Sequence, residues 1–283
     1  MTKHTIIIGD ARRMPELKDE SISLVVTSPP YWNLKDYGTK NQIGKSDISY
    51  DEYLSNLFNV FRECVRVLIP DGKLVINIMP IFLSGKNSQF KRRVTKTVLS
   101  DLEKFFESLG NMYFHSLYIW DKRKFARFSS FGSYPYPTNL YSTFPYEWII
   151  VFAKAGKRPP LDKKKKEESK ITKDEWLKWC VNSIWEMQPA SASTEGHPAP
   201  FPEELPRRII KLYSFVGDTI LDPFLGAGTT MKVAKELKRN SVGYEINPKY
   251  LPIIKKKIGY GEQLLDENIE YRIIIRDDVK EVI

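Results

Sequence analysis

Cysteine is scarce in this chain. Of 283 residues only Cys64 and Cys180 are cysteines, far apart and in no CxxC spacing, so neither a disulfide framework nor a zinc site is indicated and a reducing cytosol is the natural setting. Long apolar runs are missing as well. Met1-Thr2-Lys3-His4 passes directly into Thr5-Ile6-Ile7-Ile8, too short and too quickly polar for a signal peptide or a membrane span, so the chain reads as cytoplasmic with no membrane partner. Internal repeats are absent. Acidic residues are also short in number, 35 Asp and Glu against 44 Lys and Arg, a net charge of +9. The deficit is local: residues 81–170 carry 18 Lys and Arg against 8 Asp and Glu, which places the whole excess in the middle third and points to a polyanionic partner there.

What is present suffices for a full core. With 42% hydrophobic residues the chain fits one large domain, or one domain with an inserted lobe. Thr5 to Ile8 and Ile22 to Val26 read as buried strands, with a short helix or turn over Arg12 to Glu20 between them. Tyr53, Leu54, Leu57, Phe58, Phe61, Val65 and Leu68 recur at helical spacing, so a helix is expected from Tyr50 to Leu68. Pro70-Asp71-Gly72 should stop it before a strand over Leu74 to Ile78. A second helix is expected over Val94 to Leu109, then strands over Tyr113 to Trp120 and Glu147 to Ala153, with an ordered basic and aromatic loop from Asp121 to Phe144. Gly156 to Lys170 reads as the least structured stretch, and Trp176, Trp179 and Trp185 imply that the following piece packs.

Two segments stand apart. Thr27-Ser28-Pro29-Pro30-Tyr31-Trp32 ends a buried strand with two prolines and an aromatic pair. A proline donates no N–H and keeps the residue before it extended, so Ser28 and Pro29 should offer acceptors at the strand end, which suits a bound amine. A proline-rich turn with Tyr31 and Trp32 in the core is the other reading. Downstream, after a helix over Glu203 to Tyr213, Thr219 to Asp222 is a short strand and Pro223-Phe224-Leu225-Gly226-Ala227-Gly228 a glycine turn. Thr229 to Leu237 is then a helix, and Ser241 to Glu245 a strand ending on an acid. That order makes the nucleotide-binding half of a doubly wound sheet, with Glu245 placed to accept from ribose hydroxyls. Met231 stands where a dinucleotide fingerprint needs its third glycine, which disfavours NAD.

Together, Asp222-Pro223-Phe224-Leu225-Gly226-Ala227-Gly228-Thr229-Thr230 and Thr27-Ser28-Pro29-Pro30-Tyr31-Trp32 resemble the cofactor loop and the catalytic motif of S-adenosylmethionine-dependent DNA amino-methyltransferases. Their order resembles the permuted β arrangement of that family, with target recognition between the motifs, where this chain is most basic. The resemblance runs from Thr5 to about Ile254 and is weakest over Arg158 to Glu186. It implies an α/β fold, a doubly wound, mostly parallel seven-stranded Rossmann-like sheet with an inserted recognition region. Residues 1–156 would be the catalytic half, 157–190 the target-recognition insertion and 191–283 the cofactor half. It implies S-adenosyl-L-methionine as cofactor, no metal, double-stranded DNA as partner, a restriction-modification setting with an accompanying endonuclease, and a monomer or homodimer.

Carried over by position, Ser28, Pro29, Pro30 and Tyr31 would be catalytic. Asp222, Gly226 and Gly228 would line the methionine portion, Thr229 or Thr230 would sit near its carboxylate and Glu245 would hold the ribose, with Thr27 and Phe224 completing the cofactor set. Asp10 would sit near the adenine and Phe201, within His197 to Pro202, would pack on the cofactor. Lys122, Arg123, Lys124, Arg127, Lys163 and Lys164, with Trp32, are the expected DNA contacts. An exocyclic amine is a poor nucleophile, and acceptors at Ser28 Oγ and the Pro29 carbonyl would favour its pyramidal transition state without a strong base. Tyr31 would stack on a flipped base. Neither cysteine has the setting of a nucleophile for ring-carbon methylation. In this family serine at the first motif position goes mostly with N4 of cytosine and aspartate with N6 of adenine. Because both side chains accept from an amine, adenine stays open, as do an idle nucleic-acid binder and a small-molecule or RNA methyltransferase.

Overall fold

The computed structural model of the chain describes residues 1–32, 38–39, 41–45, 47–86, 88–125, 131–191, 200–261 and 269–282. Its first strands are β1 (Thr2–Ile8) and β2 (Ile22–Thr27), the latter buried throughout. Helix α1 (Tyr50–Val67) starts where the Ser49 hydroxyl accepts from the Glu52 N–H, with Asp51 and Glu52 in the first turn facing the positive end of the helix dipole. Tyr53, Leu57, Phe61 and Val65 form its buried stripe.

Helix α1 runs directly into β3 (Leu68–Ile78), so Pro70-Asp71-Gly72 lies inside the strand instead of before it. Leu68 already pairs with Ile22, and the chain bulges outward before Lys73 pairs with Leu24, with Asp71 in the left-handed region. A ribbon of β4 (Ile81–Leu83) and β5 (Val94–Lys96) follows. Helix α2 (Val98–Ser108) therefore begins later than its apolar spacing suggests, because Val94 to Lys96 is taken up in that pairing. Next come β6 (Met112–Asp121), a second ribbon of β7 (Phe131–Gly132) and β8 (Leu140–Tyr141), and β9 (Tyr146–Lys154).

The stretch expected to be least structured contains helix α3 (Lys163–Glu168), capped by the Asp162 carboxylate. Helix α4 (Lys173–Trp176) continues into a wide helical turn at Leu177–Val181. The remaining elements are β10 (Ile184–Glu186), α5 (Glu204–Tyr213), β11 (Thr219–Asp222), α6 (Thr229–Glu236), β12 (Asn240–Glu245), α7 (Leu251–Ile258) and β13 (Ile269–Ile275).

Among the described residues nine strands form one sheet in the order β10-β6-β9-β3-β2-β11-β12-β1-β13, two more than the seven expected. The additions are the two edges. β10 is anchored by Trp185, fully buried and stacked on Tyr118 at 4.5 Å, and β13 pairs along the whole of β1. Of these nine only β9 runs antiparallel to its neighbours, so the sheet is mixed and mostly parallel, with the C-terminal ends of eight strands on one rim. Alternation sends Val25, Leu74 and Ile76 towards α1 and α2, and Leu24, Val26 and Val75 towards α5 and α6. In such a sheet ligands bind beyond the C-terminal strand ends, where connections diverge to opposite faces.

Candidate active site

β2 and β11 are neighbours, with Leu24 paired to Ile220 and Val25 to Leu221. The proline motif and the glycine turn leave the sheet side by side as a result. Thr27 Oγ1 donates to Asp222 Oδ1 at 2.9 Å, Thr230 Oγ1 donates to Asp222 Oδ2 at 2.6 Å, and the Phe224 N–H donates to Oδ1 at 3.1 Å. Asp222 is fully buried. Loss of hydration pushes its carboxyl up to about 6, against the opposing pull of these three donors.

After Asp222 the backbone turns through Gly226 (φ 53°) and Gly228 (φ 91°), left-handed conformations that a Cβ disfavours. The Gly226 N–H donates to Glu245 Oε2 at 2.9 Å and the Asn247 N–H to Oε1 at 2.8 Å. Glu245 is buried and its carboxyl is pushed up to about 7, chiefly by desolvation, with the Asp222 charge adding to it. The Ile246 N–H also bears on this carboxylate, which with about four acceptor positions keeps room for a further donor. Across β12, Gly9 at the end of β1 donates its N–H to the Glu245 carbonyl at 2.9 Å, which brings Asp10 to the same rim. Its carboxylate is already paired with Arg12, at 2.5 Å to Nη2.

Between these ends lies a cleft of about 870 Å³ measured to its open mouth. Asp10, Ser28, Pro29, Pro30, Tyr31, Phe201, Phe224, Gly226, Thr229 and Glu245 line it, so residues from both motifs share one wall-to-wall space. Thr27, Asp222, Gly228 and Thr230 are absent from its lining; Thr27, Asp222 and Thr230 form the buried hydrogen-bonded layer behind it. Gln42 and Ile43 also line the cleft, from the loop after the proline motif. Neither residue type marks that loop as part of a site.

Tyr31 is held from behind. Its hydroxyl donates to Glu147 Oε2 at 3.2 Å, the same oxygen accepts from Asn77 Nδ2 at 2.6 Å, and Glu147 Oε1 is 2.7 Å from Lys122 Nζ. Asn77 Oδ1 is buried with no hydrogen-bond partner among the described residues. Asn77 and Glu147 lie on strands β3 and β9 and carried no sequence signal, because only the fold brings them to Tyr31. Tyr53 on α1 donates to the Pro30 carbonyl at 3.0 Å, which fastens the double-proline turn to the core.

The expected DNA contacts fare unevenly. Lys122 is half-buried, with its ammonium 2.7 Å from Glu147 Oε1, so part of its charge is taken up inside the protein. Arg123 grips Asp121 through two nitrogens, though most of its side chain is exposed, and Lys124 pairs with Glu186 at 2.5 Å. Arg127 lies outside the described residues, as do His197 to Ala199 of the segment leading to Phe201. Trp32, expected among the DNA contacts, is buried 5.2 Å from the Tyr50 ring, and its Nε1–H donates to the Ile48 carbonyl, so its side chain packs in the core as the other reading of the motif had it. Lys163 and Lys164 also need correcting. They sit on α3, whose following Ser169 Oγ accepts from the Val216 N–H beside the start of β11, at the sheet rim opposite the cleft. Cys64 is mid-helix and fully buried, with burial raising its thiol far above the ordinary range. Among the described residues no His, Cys, Asp and Glu group could hold a metal, and no helix is long and apolar enough to cross a membrane.

Comparison with known proteins bears on this geometry. A family model described as DNA methylase matches residues 22–256. The chain is 36% identical to the type II methyltransferase M.MjaI of Methanocaldococcus jannaschii, over 95% of this chain and 96% of that one. Among solved structures, the putative DNA modification methylase TTHA0409 of Thermus thermophilus, complexed with S-adenosyl-L-methionine, matches with a TM-score of 0.74 and 28% identity, over 96% of this chain and 98% of that one. The PvuII DNA methyltransferase (cytosine-N4-specific) shares the fold, with a TM-score of 0.60 at 20% identity over 91% of this chain and 86% of that one.

Proposed function

Because this chain belongs to the DNA methylase family and uses S-adenosyl-L-methionine, we propose that it methylates the exocyclic N4 amine of a cytosine flipped out of duplex DNA, in a restriction-modification system alongside a cognate endonuclease. The observation that carries this reading is the shared cleft, in which Ser28 to Tyr31 face Gly226 and Glu245. The cleft suits the cofactor chemically. Glu245 offers a buried acceptor for the ribose hydroxyls, Phe201 and Phe224 offer apolar walls for an adenine ring, and left-handed Gly226 lets backbone approach without a Cβ. Bound there, the cofactor supplies an electrophilic methyl group on a sulfonium.

The chain's own part is placement. Ser28 Oγ and the Pro29 carbonyl accept the two hydrogens of the target amine, drawing its lone pair out of conjugation with the ring and aiming it into the cleft. Tyr31, fastened to Glu147, gives its ring face to the flipped base. The methylated nitrogen is cationic and sheds a proton to water readily, so no strong base is needed at the site. Thr27, Asp222 and Thr230 act from behind, keeping the two motif-bearing strand ends in register. Serine at position 28 supports cytosine over adenine, through the family's association of serine with N4.

The test is to incubate mixed-sequence plasmid DNA with the protein and methyl-labelled S-adenosyl-L-methionine, then digest to nucleosides for mass spectrometry. Labelled N4-methylcytosine is expected. Labelled N6-methyladenine would overturn the assigned base, and no labelled nucleoside would overturn the reading as a whole.

A further inference from the structure

The segments Ile81 to Ser100 and Lys122 to Tyr146 contain nine Lys and Arg and not one Asp or Glu. Both rise from the rim that holds the cleft. β3 runs parallel to β2 and ends at Ile78, and β6, antiparallel to β9 as β3 is, ends on the same rim with β9 between them, so their following loops leave the sheet on the side of Ser28. The ribbon β4–β5 and the ribbon β7–β8 are locked together. The Arg93 guanidinium lies 4.2 Å from the Phe82 ring centre and 5.5 Å from that of Tyr141, and Arg92 Nη1 donates to Asn139 Oδ1 at 2.8 Å. Each base is tied to the proline motif. Lys96 lies over the Tyr50 ring, which contacts Trp32, and Lys122 meets Glu147, which holds Tyr31.

The turns at the free ends of these ribbons display aromatic side chains that the core has not taken up. Tyr134 is 85% exposed, Tyr136 73% and Phe90 65%, with Lys91 following Phe90 and Lys86 exposed in the same connection between β4 and β5. Prolines at 135 and 137 limit the backbone freedom of the tyrosine turn. Aromatic faces interleaved with unopposed cations are the surface that tracks phosphates and stacks on unpaired bases. Residues 122–124 are largely engaged in ion pairs, so the exposed positive charge of this rim lies mainly on the β4–β5 turn.

We propose that these two linked ribbons form the duplex-gripping jaw of the enzyme. Lys86 and Lys91 contact phosphates, and Tyr134 and Tyr136 stack on the bases left unpaired when the target is extruded. This rests on the methyltransferase reading, with double-stranded DNA as the partner. Aromatic side chains driven between base steps offset part of the unstacking cost of distorting a duplex, which gives the exposed tyrosines a use.

The experiment compares the full-length wild type with Lys86→Ala/Lys91→Ala, Tyr134→Ala/Tyr136→Ala and Tyr134→Phe/Tyr136→Phe. It measures binding to a mixed-sequence duplex at several salt concentrations, methyl transfer to plasmid DNA, cofactor binding by calorimetry and sedimentation of the free protein. The lysine pair is expected to lower the slope of log affinity against log salt by about 2. The alanine pair of tyrosines should raise KM for DNA by roughly tenfold or more, and the phenylalanine pair should restore it, since stacking needs the ring and not the hydroxyl. Cofactor affinity should be unchanged throughout, which separates loss of grip from loss of fold. Unchanged salt slope and unchanged KM would overturn the jaw. So would a change in sedimentation without a change in DNA binding, which would make the surface a contact between copies. A wild type that binds DNA with a salt slope lowered by about 2 in Lys86→Ala/Lys91→Ala, yet transfers no methyl, would count against the functional reading and leave the jaw standing.

Discussion

Thr27 Oγ1 and Asp222 Oδ1, 195 residues apart in the chain, are joined by a buried 2.9 Å hydrogen bond. Thr27 is the last residue of β2 and Asp222 the last of β11, so one bond registers the end of the proline-motif strand against the end of the glycine-turn strand. Thr230 closes the second oxygen of the same carboxylate. Asp222 thereby acts on the cleft through its neighbours, as a positioning residue.

Asp222→Ala should therefore injure stability as well as ligand binding. It leaves two buried hydroxyls and the Phe224 N–H without their acceptor, at a cost of about 2–4 kcal/mol. Chemical denaturation should show that loss, and calorimetry should show cofactor binding abolished. Unchanged stability would remove Asp222 from this role.

Burial gives a pH dependence with a definite sign. Asp222 and Glu245 titrate higher folded than unfolded, near 6 and near 7, so protonation favours the folded state. Their favourable contribution is complete below the ordinary carboxylate range and disappears as pH rises through 6 for Asp222 and 7 for Glu245. The wild type should lose stability across that window more steeply than Glu245→Gln, measured by denaturant unfolding at several pH values. Equal slopes would contradict the burial argument.

Ser28→Ala should lower turnover by about 100-fold while leaving cofactor affinity within a few fold, because Ser28 lines the cleft where the proposed amine would be held. Glu245→Ala should do the reverse at the first step, abolishing measurable cofactor binding. Calorimetry and single-turnover kinetics on both variants check the division, and equal loss of both quantities in Ser28→Ala would count against its role.

Glu147 should matter more to the fold than its distance from the glycine turn suggests. Glu147→Ala removes the carboxylate beside the half-buried Lys122 ammonium and one acceptor each from Tyr31 and Asn77, at a cost of about 2–4 kcal/mol. Tyr31→Phe removes the hydroxyl's bond to Glu147 and should cost about 1 kcal/mol, with a few-fold fall in turnover. Unfolding curves of the two variants, side by side, provide the check.

The fold was legible wherever a local pattern spoke for itself. The glycine turn between Asp222 and Thr229, the stripe of α1 and the strand ends at Thr27 and Glu245 all lie where spacing and residue type put them. What escaped depends on distant partners. Val94 to Lys96 continues the apolar period of α2 yet pairs with Ile81 to Leu83, and Leu68 completes a helix stripe yet pairs with Ile22. Lys122 looked like one more cation in a basic run, and only the fold sets Glu147 against it. Lys163 and Lys164 belong to a dense cationic run, but charge density says nothing of which rim of the sheet will carry it.

Determining the crystal structure with S-adenosyl-L-methionine bound tests the central spatial claim most directly. The ribose hydroxyls are expected on Glu245, the methionine end at the Gly226 turn, and the methyl group directed at the space between Ser28 Oγ and the Tyr31 ring. A cofactor bound elsewhere, or one whose methyl points away from Ser28 to Tyr31, would contradict it.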